Sequence, residues 1–409
     1  MAPTIMRVSS VLSEMHLTAI HPAGPAIVIA LVVLGLGALV VRRSAFYRSL
    51  VDHEVSANRF HAIDGLRGYL ALGVVLHHVV INFQYYQTGV WALTPSRLNT
   101  FFGRGSVAFF FMITAFLFWS RAVNERGQID AFRFYASRLR RMVPMYLFSA
   151  VLVVVVALAL THFRLQEPPL ELLRHVMAWV FFTVPGALNI NGFNQTPYIN
   201  TVFWSLVYEW KFYFLFPFLA VFAHTRAQWC LAAVAALYIW LYSDTQIEWF
   251  FVGGCIAVAL TRVATVRKVA AGWVGSLIAL IGLGATLEWQ PVVYSLTGAT
   301  LLLLPFVMFA SGNTLFGLLT CRPARLLGLL SYSIYLLHNL VLFLLSRLVN
   351  HFTELAGLSE RSYWAMGAVV AMLTVMIAAC TYRFIEYPYL RSSSRTEPVS
   401  GDRRGIAVS

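Results

Sequence analysis

The chain is 409 residues long, 59% hydrophobic and only 11% charged, whereas an ordinary soluble domain carries about 25% charged residues. Apolar runs long enough to cross a hydrocarbon core of roughly 30 Å recur from end to end, without the period-2 alternation of a membrane barrel. The composition points to an all-α, polytopic integral membrane bundle, and the formal net charge of +13 reads as an orientation signal, not a nucleic-acid footprint.

Spans are expected near 25–41, 66–86, 105–120, 143–161, 203–223, 228–243, 246–262, 270–287, 291–311, 327–349 and 363–385. The stretch 172–188 is shorter, is bounded by Arg174-His175 and ends at Pro185-Gly186. If it does not cross, the loops on the side of 42–62 hold 21 Arg and Lys against 6 opposite; if it crosses, the tally is 11 against 16. The positive-inside rule selects the first arrangement. It gives an extra N-terminal helix followed by ten core helices, with the N-terminus outside and the C-terminus cytoplasmic. Residues 162–202 form one long external segment.

By this reading residues 1–59 are a tail, an extra anchor and a basic cytoplasmic linker. Residues 60–390 are one membrane domain, and 391–409, rich in Ser, Arg and Gly, a disordered cytoplasmic tail. Arg42-Arg43 after the first apolar run mark an uncleaved anchor, since a cleavable signal carries its charges on the other flank. Cys230, Cys255, Cys321 and Cys380 lie scattered in apolar segments without metal spacing, so no metal is expected.

Four constellations carry chemistry. In Asp64-Gly65-Leu66-Arg67 through His77-His78, eleven residues return to within about 20° of the same helix face, so Arg67 and His78 share a stripe about 16 Å apart. Ionisable groups at that depth are expensive and face a cavity, a pathway or a partner. The cytoplasmic loop 121–141 holds six arginines, with Arg138 and Arg141 on one helical face just before Pro144 and Tyr146. It serves either as a positive-inside anchor on anionic lipid or as a phosphate clamp. Ser205, Glu209 and Tyr213 form an i, i+4, i+8 polar stripe in an aromatic helix, where Glu209 either pairs with a nearby Arg or Lys211 or serves the site. Ser331, Tyr335 and His338 follow i, i+4, i+7, and His338 either bonds a neighbouring helix or joins the chemistry. Glu386 beside Arg383 reads as an interfacial ion pair.

These segments resemble the membrane-bound acyltransferase family 3. The resemblance rests on Asp64-Gly65-Leu66-Arg67 with His78, Phe109 to Phe116, Phe134-Tyr135 with Arg138, Arg141, Pro144 and Tyr146, Ser205 with Glu209 and Phe212-Tyr213, Ser331-Tyr332 with Tyr335 and His338, and Phe384-Ile385-Glu386-Tyr387-Pro388, in that order. It runs from about Phe60 to Leu390. It implies O-acyl transfer, usually of acetyl from cytoplasmic acetyl-CoA to a hydroxyl of a cell-envelope glycan or glycolipid, sometimes to a small molecule such as a macrolide. It also implies that Arg67 and His78 are essential and that Arg138 and Arg141 handle the donor. Thr114-Ala115-Phe116 departs from the family's frequent Ser-Gly-Phe, adding a methyl to each of the first two positions. Some relatives carry a C-terminal periplasmic hydrolase-like domain; here the chain ends ~20 residues after its last span and is expected to work without one.

The expected catalytic set is His78 as general base, Arg67 to orient the donor or stabilise developing negative charge, and Glu209 to orient His78 or the acceptor. Acyl-CoA is expected on Arg138, Arg141 and Tyr146, and the acceptor near Ser205, Tyr335 and His338. The setting is a bacterial plasma membrane, with lipid around the bundle. Two rivals use the same residues differently. A proton-coupled secondary transporter also needs intramembrane Arg, His and Glu, but no internal repeat is visible. A structural glycan-binding component would be indifferent to loss of Arg67 or His78.

Overall fold

The computed structural model describes residues 21–56, 60–184, 186–290 and 292–394. Residues 1–20, and 395–409 of the expected disordered tail 391–409, lie outside the described residues, whereas 391–394 continue the last helix. Apart from one isolated bridge between Ile190 and Phe193, the described residues form helices and loops. In chain order the helices are α1 (Ala23–Arg43), α2 (Ala45–Ser56), α3 (His61–Thr88), α4 (Arg97–Asn124), α5 (Ala131–Leu160), α6 (Pro169–Val180) and α7 (Phe203–Ala220). They continue as α8 (Ala227–Tyr242), α9 (Glu248–Leu260), α10 (Ala264–Ala270), α11 (Trp273–Trp289), α12 (Leu296–Ala310), α13 (Arg322–Phe352) and α14 (Glu360–Arg391).

Among the described residues six helices are long and apolar enough to cross a membrane: α1, α3, α4, α5, α13 and α14. A seventh is added if α9 and α10, bent by 101°, form one broken span. The other expected segments carry the shorter helices α7, α8, α11 and α12. Helix α6 has 12 residues, about 18 Å at 1.5 Å per residue, too short to cross.

The arginine-rich segment differs from its expected form. It is not a loop up to the span, because α5 starts at Ala131, where the Asp130 side chain accepts from the Arg133 amide as an N-cap. Arginine is a good helix former, so Arg138 and Arg141 ride on the same rigid rod as the span. Helix α14 contains a π-helical stretch at Tyr382–Glu386, and the wider i→i+5 turn breaks the i, i+3 alignment expected of Arg383 and Glu386. Glu386 turns inward, is 2% exposed and accepts from the Ser333 hydroxyl. Arg383 instead lies over the Phe46 ring, 5.1 Å from its centroid. The interfacial ion pair does not form.

Two helices make the centre. The apolar stretches of α3 and α13 are 83% and 89% buried, against 28% and 33% for α1 and α5 at the periphery. They touch backbone to backbone through glycine. A Cβ on Gly65 would sit 1.7 Å from the Leu319 carbonyl oxygen, and one on Gly328 1.8 Å from that of Asp64. Small residues permit such contact between membrane helices. Further along both chains, His78 meets His338 at 3.0 Å, so the contacts advance together and the two helices run parallel.

Gly328→Ala is expected to force α3 and α13 apart, since its Cβ meets backbone that cannot yield. Thermal unfolding in detergent should show a loss of about 1–3 kcal/mol, the usual cost of overpacking.

Candidate active site

A cavity of about 340 Å³ lies between α3, α4, α5, α7 and α13. Arg67, Arg138 and Arg141 line it together, against two carboxylates, Asp64 and Glu209. The ion pairs that arginines form lie elsewhere, at Arg97–Glu288, Arg121–Glu125, Arg133–Asp130, Arg174–Glu171 and Arg322–Asp52. None of the three cavity arginines has a carboxylate partner among the described residues. Arg138 lies over the Phe118 ring at 4.9 Å and donates to Ser137 at 3.1 Å, while its Nε is buried without a partner. Such a cavity is a cationic cradle with donors left over, suited to a polyanion.

The polar stripe of α7 faces this space. Ser205, Glu209 and Tyr213 all line it. Glu209 accepts from the Tyr213 hydroxyl and, at 3.4 Å, from that of Thr114. Thr114, the position that departs from the family pattern, therefore touches a site carboxylate directly. Ser205 and Tyr335 share a hydrogen bond of 2.7 Å between their hydroxyls. The cavity reaches these two residues and stops short of the histidines.

The next layer is imidazole. His78 Nδ1 lies 3.0 Å from the Val74 carbonyl oxygen and 3.0 Å from His338 Nε2, and its Nε2 lies 3.1 Å from the Thr201 hydroxyl. The ring of Tyr335 is 6.1 Å from that of His338, centroid to centroid. His77 points elsewhere: its Nδ1 meets the Asn99 carbonyl at 2.7 Å and its ring packs against Gly103, where a Cβ would come within 2.3 Å. Of that pair, His78 is the one that faces Thr201 and His338. Beyond it an aromatic layer follows, with Trp91 stacked on His78 at 6.2 Å and Tyr198 stacked on Trp91 at 5.5 Å.

Three expected placements change. Tyr146 does not join the arginines: it lies 140° around the helix from Arg141, its hydroxyl donates to the Trp179 carbonyl and its ring stacks on Phe182 at 3.9 Å. Glu209 does not contact His78, whose ring nitrogens are taken by Val74, His338 and Thr201. His338 is fully buried and aimed at His78, not at the cavity. Thr201 extends the stripe of Ser205, Glu209 and Tyr213 by one step of four, but it precedes the helix, where the helical period lends no weight to the spacing. Among the described residues no group of three or more His, Cys, Asp or Glu is placed to hold a metal ion. A larger apolar groove of about 630 Å³ between α7, α8 and α9 contains none of the expected site residues, so the convergent polar groups, not the volume, locate the site.

A family model described as an acyltransferase domain matches residues 60–383. The chain belongs to acyltransferase family 3. That match contains all nine expected site residues, from Arg67 to His338. The chain is similar to O-acetyltransferase OatA of Staphylococcus aureus, 24% identical over 377 residues, covering 80% of this chain and 56% of that protein. Acyltransferase MdmB of Streptomyces mycarofaciens is 26% identical over 388 residues, covering 84% and 94%. Exopolysaccharide production protein ExoZ of Rhizobium meliloti is 27% identical over 328 residues, covering 73% and 93%. This chain thus spans little more than half the length of OatA. No solved structure matches.

Tyr146→Phe is expected to cost about 0.5–1.5 kcal/mol of stability, one hydrogen bond, with turnover unchanged once folding is matched. A fall in turnover at intact stability would return Tyr146 to the site.

Proposed function

We propose that this protein is an integral membrane O-acyltransferase that moves an acyl group, acetyl in the first instance, from cytoplasmic acyl-CoA to a hydroxyl of an extracytoplasmic glycan or glycolipid. The observation that carries it is the layered column itself. Three guanidinium groups without acidic partners among the described residues line a cavity, and the cavity ends at Ser205 and Tyr335 beneath a buried imidazole.

CoA phosphates dock on Arg138 and Arg141, whose planar forks match phosphate oxygens, and the thioester arm extends along α3 toward His78, about 16 Å beyond Arg67. His78 Nε2 takes the proton of the acceptor hydroxyl as its oxygen attacks the thioester carbonyl. The C–S bond then breaks, and the leaving sulfur receives the proton from His78. Arg67 supports the negative charge that develops on the donor. Glu209, held by Tyr213 and Thr114, shapes the cavity between donor dock and imidazole rather than acting on His78. Trp91 and Tyr198 place aromatic rings on the far side of His78, the kind of side chain a sugar packs against.

We also propose the arrangement of ten core spans after an extra N-terminal one, in a bacterial plasma membrane with the C-terminus cytoplasmic. The parallel course of α3 and α13 supports it, because it requires an odd number of crossings between them. Seven expected spans satisfy that condition, and an additional crossing at 172–188 would not. Membership of an acyltransferase family lends nothing to the transporter alternative.

Binding of acetyl-CoA to the purified protein should be saturable and weakened at least tenfold in Arg138→Ala/Arg141→Ala. His78→Ala should bind donor normally and lose about 10²–10⁴-fold in transfer, the usual weight of a general base. A folded wild type that binds no acyl-CoA would end this reading. Direct transfer further predicts that Thr201→Ala keeps turnover within about threefold; loss in Thr201→Ala with retention in Thr201→Ser would place the acyl group on Thr201 first.

A further inference from the structure

We infer that His338 is a positioning residue that acts through His78, holding its Nδ1–H so that Nε2 is the basic nitrogen. The inference rests on the reading of His78 as the general base. It follows from hydrogen-bond direction alone. The Nδ1 atoms of His78 and His338 each face the carbonyl four residues back on their own helix, Val74 at 3.0 Å and Ile334 at 3.1 Å. A carbonyl oxygen only accepts, so each Nδ1 carries the hydrogen and each neutral ring keeps its lone pair on Nε2.

The two rings then fit in one sense only. His338 Nε2, a lone pair, lies 3.0 Å from His78 Nδ1, a donor. His78 Nε2, the remaining lone pair, lies 3.1 Å from Thr201 Oγ1, so the threonine hydroxyl donates to it. The array runs Thr201 O–H to His78, the one Nδ1–H of His78 shared between the Val74 carbonyl oxygen and His338 Nε2, both at 3.0 Å, and His338 N–H to the Ile334 carbonyl. Either ring in the other tautomer would set a lone pair against a backbone carbonyl oxygen. Thr201 thus marks where a reacting hydroxyl sits.

The arrangement answers an energetic need. When Nε2 takes a proton, His78 becomes a cation at membrane depth, which is costly. In serine hydrolases a buried carboxylate accepts the Nδ1–H of such a base. Here a neutral imidazole does so, and no carboxylate lies within ion-pair distance of His78 among the described residues. A neutral partner shares the positive charge without bringing a second buried charge that needs its own compensation. The frame around it is rigid: Asn200 donates to the Leu336 carbonyl at 2.8 Å and Asn339 to that of Tyr198 at 2.9 Å. The segment carrying Thr201 is therefore laced to α13 on both sides of His338.

The test uses the full-length protein in detergent, ¹⁵N-labelled at histidine, with His338→Gln, His338→Asn and His338→Ala. A glutamine oxygen can take the place of Nε2 and accept from His78, whereas the asparagine amide reaches only the Nδ1 position. The ¹⁵N spectrum of the wild type should show His78 protonated on Nδ1. His338→Gln should keep kcat within about tenfold, while His338→Asn and His338→Ala lose about 100-fold or more. KM for acyl-CoA should stay within about twofold throughout, a split that general loosening of the fold would not produce. Wild-type kcat in His338→Ala, or His78 protonated on Nε2, would overturn the assignment. His78→Ala run alongside separates the two readings. Transfer that survives it removes the base and the role of His338 together, whereas an inactive His78→Ala beside an unimpaired His338→Ala removes only the latter.

Discussion

The rest of the structure depends on the backbone contact between α3 and α13. Gly65, Gly68 and Gly328 remove the side chains that would hold the rods apart, and a Cβ at Gly68 would lie 2.7 Å from the Ala324 carbonyl oxygen. Contact at that depth sets a register, and rigid parallel helices carry it upward. His78 lies ten residues beyond Gly68 and His338 ten beyond Gly328, about 15 Å at 1.5 Å per residue. The two imidazoles meet because the glycines do. A peripheral rod is fitted to the same pair, as Gly37 of α1 packs on Pro323 at the start of α13.

Charge is graded along this axis. The arginines gather at one end of α3, where their cost in desolvation is moderated by a cavity and by aromatic faces such as Phe118. Two of the acids are occupied by hydroxyls: Glu209 by Tyr213 and Thr114, Glu386 by Ser333. Deeper in, the ionisable groups are imidazoles, whose hydrogen bonds are complete in the neutral state. Under the proposed function a polyanionic donor is met by cations at the mouth, while the layer of imidazoles keeps its charge in reserve. The same division would have one side of the bundle recognise phosphate and the other carry aromatic rings, with the basic nitrogen of His78 between them.

Irregular backbone appears in two of the long helices that surround the site. The π-helical stretch at Phe101–Gly105 brings Gly103 under the ring of His77, and the one at Tyr382–Glu386 turns a carboxylate inward beneath α13. Such turns recur at functional sites because they redirect side chains without ending the helix. Neither leaves a mark in a hydropathy pattern.

Much was legible in the residues. Apolar runs located the helices, since burying backbone polar groups in lipid leaves few alternatives to a helix. The 3.6-residue period put Arg67 and His78 on one stripe and Ser205, Glu209 and Tyr213 on another, and both stripes face the site. Periodicity reports the angle of a residue about its own helix and its depth along it. It does not report which helix stands opposite, so it could not aim His338 at His78, seat Thr201 on its free nitrogen or turn Tyr146 away from the arginines it follows. Those outcomes were decided in the tertiary structure, because register between rods comes from glycine contacts, caps and π-turns that act between segments far apart in the chain.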